Sequence, residues 1–255
     1  MVVAAGSGHA TMLIWDNFDE SQQSAIFPAF GINVPTSIAN GAGILGGERE
    51  VAVTLDFGSQ VSTYVNFGGN SLLSFNLPAA SKGDGLITWD GPDGNTSNVN
   101  TTGLNGVDLT DGGLYDAVAI AVDFMDLGSN MMLTVWTDAN NSSEINLAVP
   151  GGVFSGSAVV VWEFANFVPE SGTGADFANV GAISLSINAH SETQALDLQL
   201  DYIASIAWDD PPMDSLAVQV IPEPTTLLLF ALGIIALGLN VVVRNRNWAW
   251  RKSAV

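Results

Sequence analysis

Apolar and polar residues alternate with period two through most of positions 12–209. Val61, Thr63, Val65 and Phe67 fall on one side of an extended chain, with Ser62, Tyr64 and Asn66 on the other. Val118, Ile120, Val122 and Phe124 repeat the pattern. So do Ile183, Leu185 and Ile187 against Ser184, Ser186 and Asn188, and Leu196, Leu198 and Leu200 against Asp197, Gln199 and Asp201. Successive side chains of a strand point to opposite faces, so this period marks antiparallel strands with one face on a core and one toward water. Further strands are expected over 51–57, 72–77, 86–90, 131–137, 144–149 and 157–164. Turn-rich stretches such as KGDGL, DGPDGNTSN, TDGGLYD and DLGSN separate them. No 12-residue stretch of this body has a helical period. About ten short strands predict an all-β fold, an antiparallel β-sandwich or jelly roll, over residues 11–208.

The pattern breaks near the end. Residues 225–243 carry no charge and are apolar on every side, with Asn240 the one strongly polar residue. A helix of that length spans ~28 Å, which matches the hydrocarbon thickness of a bilayer. Pro222 and Pro224 stand just before it, where proline is tolerated, and Thr225 or Thr226 can cap it. Arg244, Arg246, Trp248, Trp250, Arg251 and Lys252 follow. Basic residues mark the cytoplasmic flank and tryptophan the headgroup layer, so one C-terminal transmembrane helix is expected, with the body outside the cytoplasm. WDDPPMDSLAVQV leads up to it, and the spacer is placed at 209–219. At the other end, residues 1–10 read as the back half of a signal peptide, with Gly8-His9-Ala10 as the cleavage site and the rest lost to a misplaced start codon. The alternative is a short disordered leader.

Charge sharpens this division. Of 26 acidic residues 25 lie before position 220, with only Arg49 and Lys82 as basic partners there, so that part carries −23 against +3 beyond it. Phosphate backbones would repel such a body, which excludes nucleic acid as a partner. Solubility and divalent-cation binding remain as roles for the carboxylates. The chain has no cysteine, which excludes disulfides, thiolate metal sites and cysteine nucleophiles.

Val220-Ile221-Pro222-Glu223-Pro224, the apolar span 225–243 and the basic pair Arg244 and Arg246 occur in fixed order at the terminus. This closely resembles the PEP-CTERM protein-sorting signal of bacteria. The resemblance implies that an exosortase-type transpeptidase acts near Val220, Pro222, Glu223 and Pro224 and moves the protein to the cell surface or exopolysaccharide layer. The membrane helix is then a transient handle. In the body, WDNFDE, ILGGERE, LYDAVAIAVDF, VVWEFANF, ADFANVGAISLSIN and ALDLQLDYI resemble galactose-binding-like jelly rolls, which include carbohydrate-binding modules and CIA30-like domains. Such jelly rolls often hold a structural Ca2+ between first and last strand. The resemblance places it at Asp16 or Asp19 and Asp201, with Glu20 nearby, and solvated strand ends are the alternative reading of these residues.

Other candidate sites weigh less. GAGILGG at 41–47 has the spacing of a dinucleotide loop, but a strand-like EREVAVTL follows it rather than a helix. DGPDGN at 90–95 lacks the ligand spacing of an EF-hand. Trp136 falls on the face opposite Leu133 and Val135, where it could meet a glycan, although buried tryptophan is the commoner fate in a sandwich. No nucleophile-elbow or zinc-protease motif occurs, His9 and His190 are the only histidines, and nothing in the sequence selects a catalytic carboxylate pair. The expectation is an exported, non-enzymatic protein of the cell surface or exopolysaccharide, binding glycan or calcium. The alternative is an exported polysaccharide hydrolase or lyase.

Overall fold

The computed structural model describes residues 12–29, 32–152 and 158–208. The strands are β1 (Leu13–Asp16), β2 (Gln23–Ala29), β3 (Ile32–Val34), β4 (Thr36–Asn40), β5 (Glu48–Phe57), β6 (Val61–Val65), β7 (Leu73–Asn76), β8 (Lys82–Trp89), β9 (Ala117–Met125), β10 (Ser129–Asp138), β11 (Asn141–Val149), β12 (Ala158–Glu163), β13 (Val168–Ser171), β14 (Ala182–Ile187) and β15 (Asp197–Ile206). They form two antiparallel sheets. The first runs β12-β9-β15-β7-β6-β2-β3 with β1 added to β15, and the second runs β13-β11-β10-β14-β8-β5-β4. Helical structure among the described residues is confined to three short 3-10 turns, and no helix there is long and apolar enough to cross a membrane. The expected helix over 225–243, the spacer and the leader lie outside the described residues.

The period-two pattern is what joins the sheets. Met131, Leu133 and Val135 of β10, Ile183, Leu185 and Ile187 of β14, and Ile87 and Trp89 of β8 are fully buried. They share one core with Val61, Val65, Leu73, Phe75, Leu198 and Leu200 of the first sheet. Each such side chain contributes ~1.5–3 kcal/mol on leaving water. The all-β, two-sheet expectation therefore holds.

Two parts of the pattern read differently in three dimensions. KGDGL is the first half of β8 rather than a turn. A Cβ at Gly83 would run into the carbonyl of Thr54, and one at Gly85 would sit 2.9 Å from the Phe75 ring. Glycine here lets neighbouring backbone and an aromatic ring close in on a strand. The strands β2, β3 and β4 show no clear alternation. β3 ends the first sheet, β4 ends the second, and the chain changes sheet at Pro35. Proline is tolerated there because edge positions leave one side of the backbone unpaired, and the Pro35 carbonyl still accepts from Val53 N–H at 2.8 Å.

Candidate functional site

With the odd positions of β10 buried inward, Met132, Thr134 and Trp136 point away from the core. Strand register extends this face across the second sheet. Glu144, Thr134, Ser184, Thr88 and Glu50 lie side by side on β11, β10, β14, β8 and β5. Ser142, Trp136 and Ala182 make the next row, and Asn146, Met132, Ser186, Leu86 and Ala52 the row on the other side. Trp136 is half-buried, and Thr134, Ser184 and Thr88 are no more than 6% exposed although they face outward. The result is a polar strip with one aromatic side chain beside it.

The strip ends in a group of carboxylates. β5 opens with Glu48-Arg49-Glu50, so the two glutamates face outward and the arginine inward. Glu50 pairs with Thr88, and continuing that register brings Asp90 level with Glu48. Asp93 arrives from the following loop, and one oxygen each of Glu48, Glu50 and Asp93 lie within 4.8 Å of one another. That loop folds over the glutamates. The N–H groups of Asp93 and Gly94 donate to Glu48 Oε1 at 3.1 and 2.9 Å. Asn100 N–H donates to Asp90 Oδ2 at 2.7 Å. Glu48 and Glu50 are each 4% exposed and Asp90 is fully buried. Yet Glu50 Oε1 and Asp90 Oδ1 have no hydrogen-bond partner.

Proton affinity reflects this crowding. Burial, then the charges of Asp90, Asp93 and Glu48, push the Glu50 carboxyl up to about 7. Burial, followed by Asp93 and Glu48, pushes Asp90 up to about 6 against the opposing Asn100 hydrogen bond. A carboxyl raised in the folded state stabilises the fold below its unfolded pKa, and that contribution is lost as pH rises through the folded value. Metal-free protein is therefore expected to melt at a lower temperature at pH 8 than at pH 5. Burial raises Asp84, Asp197 and Asp201 as well, adding in the same direction. Glu50→Gln should narrow the difference between the two pH values, and calorimetry in chelator measures it.

Arg49 does not neutralise the cluster, because it is committed on the other side of β5. Its Nη1 donates to both oxygens of Asp16 at 2.8 Å, and both residues are fully buried. Its Nε donates to Gln23 Oε1 at 2.7 Å, and Nη2 donates to the Glu20 carbonyl at 3.0 Å. Trp89 Nε1 and Phe18 N–H complete the shell of Asp16 at 3.1 and 2.9 Å. The calcium expectation at Asp16, Asp19 and Asp201 does not fit this arrangement. Asp16 is already the counter-ion of Arg49, and Asp16, Asp19 and Asp201 do not form a converging acidic group among the described residues. Among the described residues, the acidic group that converges is Glu48, Glu50 and Asp93. Asp90 and Asp93 belong to DGPDGN, which lacks EF-hand spacing, and Glu48 and Glu50 drew no attention from sequence, although the Glu-x-Glu spacing does place both on one strand face. GAGILGG leads through a 3-10 turn at Leu45–Gly47 directly into β5, with no helix after it. Val220, Pro222, Glu223, Pro224, Arg244 and Arg246 lie outside the described residues.

Residues 220–246 match the PEP-CTERM protein-sorting motif. The motif implies export and membrane-anchored sorting with exosortase processing. No curated protein matches the chain by sequence. Among solved structures it is similar to the family 11 carbohydrate-binding module of the cellulosomal cellulase Lic26A-Cel5E of Clostridium thermocellum, at 8% identity and TM-score 0.37, over 80% of this chain and 99% of that one. A family 11 module from Clostridium thermocellum in complex with a beta-1,3-1,4-mixed-linked tetrasaccharide has 10% identity and TM-score 0.33, over 74% and 98%. TmCBM61 in complex with beta-1,4-galactotriose has 7% identity and TM-score 0.33, over 76% and 99%. Similarity at that level says nothing of what this sandwich binds.

Proposed function

We propose that this protein is exported, handed over at Pro222-Glu223-Pro224 and held at the cell surface or in exopolysaccharide, where its sandwich binds glycan without transforming it. The observation that carries the reading is Trp136, half-buried on the outward face of the second sheet, with the partly exposed Glu144 in the adjoining row of β11. Sugars present hydroxyls at their edges and C–H groups on their faces. The Glu144 carboxylate suits the first, and the Trp136 indole suits the second. A body carrying −23 before position 220 favours neutral chains over anionic ones. Screening the protein on a glycan array tests this, with Trp136→Ala expected to weaken the best ligand by about tenfold or more. Binding unchanged in that variant, or no binding to any glycan, would remove the reading.

One observation favours a hydrolase or lyase instead. Glu50, raised to about 7 beside other carboxylates, has the protonation a general acid needs. Against it, Glu48 and Glu50 are 4% exposed beneath the 91–97 loop, so a glycosidic bond has no path to them. Release of reducing ends from polysaccharides by the intact protein, abolished in Glu50→Gln, would make this second reading the correct one.

A further inference from the structure

We propose that Glu48, Glu50 and Asp93, with Asp90 behind them, bind one calcium ion. Acidic residues gather on many surfaces without consequence, but this group has two buried oxygens with nothing to bond. Glu50 Oε1 and Asp90 Oδ1 belong to residues 4% and 0% exposed, and neither accepts a hydrogen bond. Buried polar atoms are otherwise almost always paired, so two orphans in one acidic cluster ask for a partner. The cation that could have served, Arg49, points the other way and spends its donors on Asp16, Gln23 and the Glu20 carbonyl. The other oxygens are already oriented. Glu48 Oε1 is steered by two loop N–H groups, and Asp90 Oδ2 by Asn100 N–H. Asp93 Oδ1 accepts from Asn95 N–H at 2.8 Å, which holds the loop carboxylate in place.

Ligand chemistry selects the ion. Glu48, Glu50 and Asp93 offer hard carboxylate oxygens, with no imidazole or thiolate among them, which suits calcium, magnesium or manganese over zinc and copper. Magnesium keeps several waters and demands a near-octahedral shell, for which glutamates this buried leave little room. Calcium accepts irregular shells of six to eight oxygens, which loop carbonyls and a water can complete. The ion also joins the start of β5 to the loop after β8, so its binding should stabilise that end of the second sheet. The site stands whether or not the neighbouring strip binds glycan.

The test uses the full chain in mild detergent, stripped with chelator and titrated calorimetrically with calcium chloride in sugar-free buffer. One ion per chain is expected, with a rise in melting temperature that scales with free calcium. Magnesium chloride should compete weakly. Glu50→Gln keeps the shape of the side chain, and Asp93→Asn alters only an exposed loop residue. Each should weaken calcium by at least about tenfold while leaving the chelated protein's circular dichroism unchanged. Asp19→Asn and Asp201→Asn should have no effect. Absence of calcium heat in the folded parent, affinity unaltered in both Glu50→Gln and Asp93→Asn, or loss of binding in Asp201→Asn instead would each overturn the proposal. Loss of glycan binding with the calcium heat intact would count against the glycan reading alone.

Discussion

Arg49→Met should be among the most damaging single substitutions in the body. It would leave the fully buried Asp16 carboxylate facing Trp89 Nε1 and Phe18 N–H with no cation. It would also orphan Gln23 Oε1 and the Glu20 carbonyl. Removing one partner of a buried ion pair costs ~3–5 kcal/mol, because the remaining charge stays out of water. A domain of this size has only ~5–15 kcal/mol in total, so the variant should melt roughly 10–15 °C lower or fail to accumulate. Asp16→Asn combined with Arg49→Met should recover much of the loss, since no lone charge is then buried. Thermal unfolding of the two variants decides it. Equal melting temperatures for parent and Arg49→Met would mean that water reaches the pair.

The second large effect concerns where the protein goes. Replacing Pro222, Glu223 and Pro224 together by alanine should leave full-length protein in the membrane fraction, with the surface-associated form nearly absent. On the sorting reading proposed above, the expected span 225–243 and its flank Arg244 and Arg246 are untouched by this change, while the processing enzyme loses its recognition sequence. Deleting 220–255 should act differently, releasing a folded, water-soluble body, because residues from Trp15 to Ile203 already close a hydrophobic core. Fractionation with an antibody to the body, and the mass of the mature C-terminus, separate these outcomes. Normal surface delivery of the alanine variant would show that the motif is not what sorts this protein.

The long alternating runs were legible as strands because one buried face imposes its period on the sequence: 117–125, 129–138 and 182–187 lie close to where that period places them. Legibility failed where something other than side-chain alternation holds the strand. Gly83 and Gly85 look like a turn until the Thr54 carbonyl and the Phe75 ring occupy the space their missing Cβ atoms leave. The edge strands on either side of Pro35 are short, and their place at the sheet margins depends on β5 and β2 rather than on their own residues. Asp16 illustrates the limit for sites. Its position in the first strand suggests a ligand, but its partner is 33 residues away on another sheet.

By itself the sequence determined the all-β class, the separation of an acidic body from an apolar, arginine-flanked terminus, and the sorting signal at 220–246. These are properties of composition and near-neighbour order, and they survive in an unfolded chain. Tertiary structure alone decided which carboxylates meet. Glu48 and Glu50 reach Asp90 and Asp93 across 40 or more positions only because β5 pairs with β8 in one register. A slip of one residue would turn those glutamates toward the core and Arg49 toward water, and long-range pairing of that kind follows from packing the whole sandwich rather than from any local run of residues.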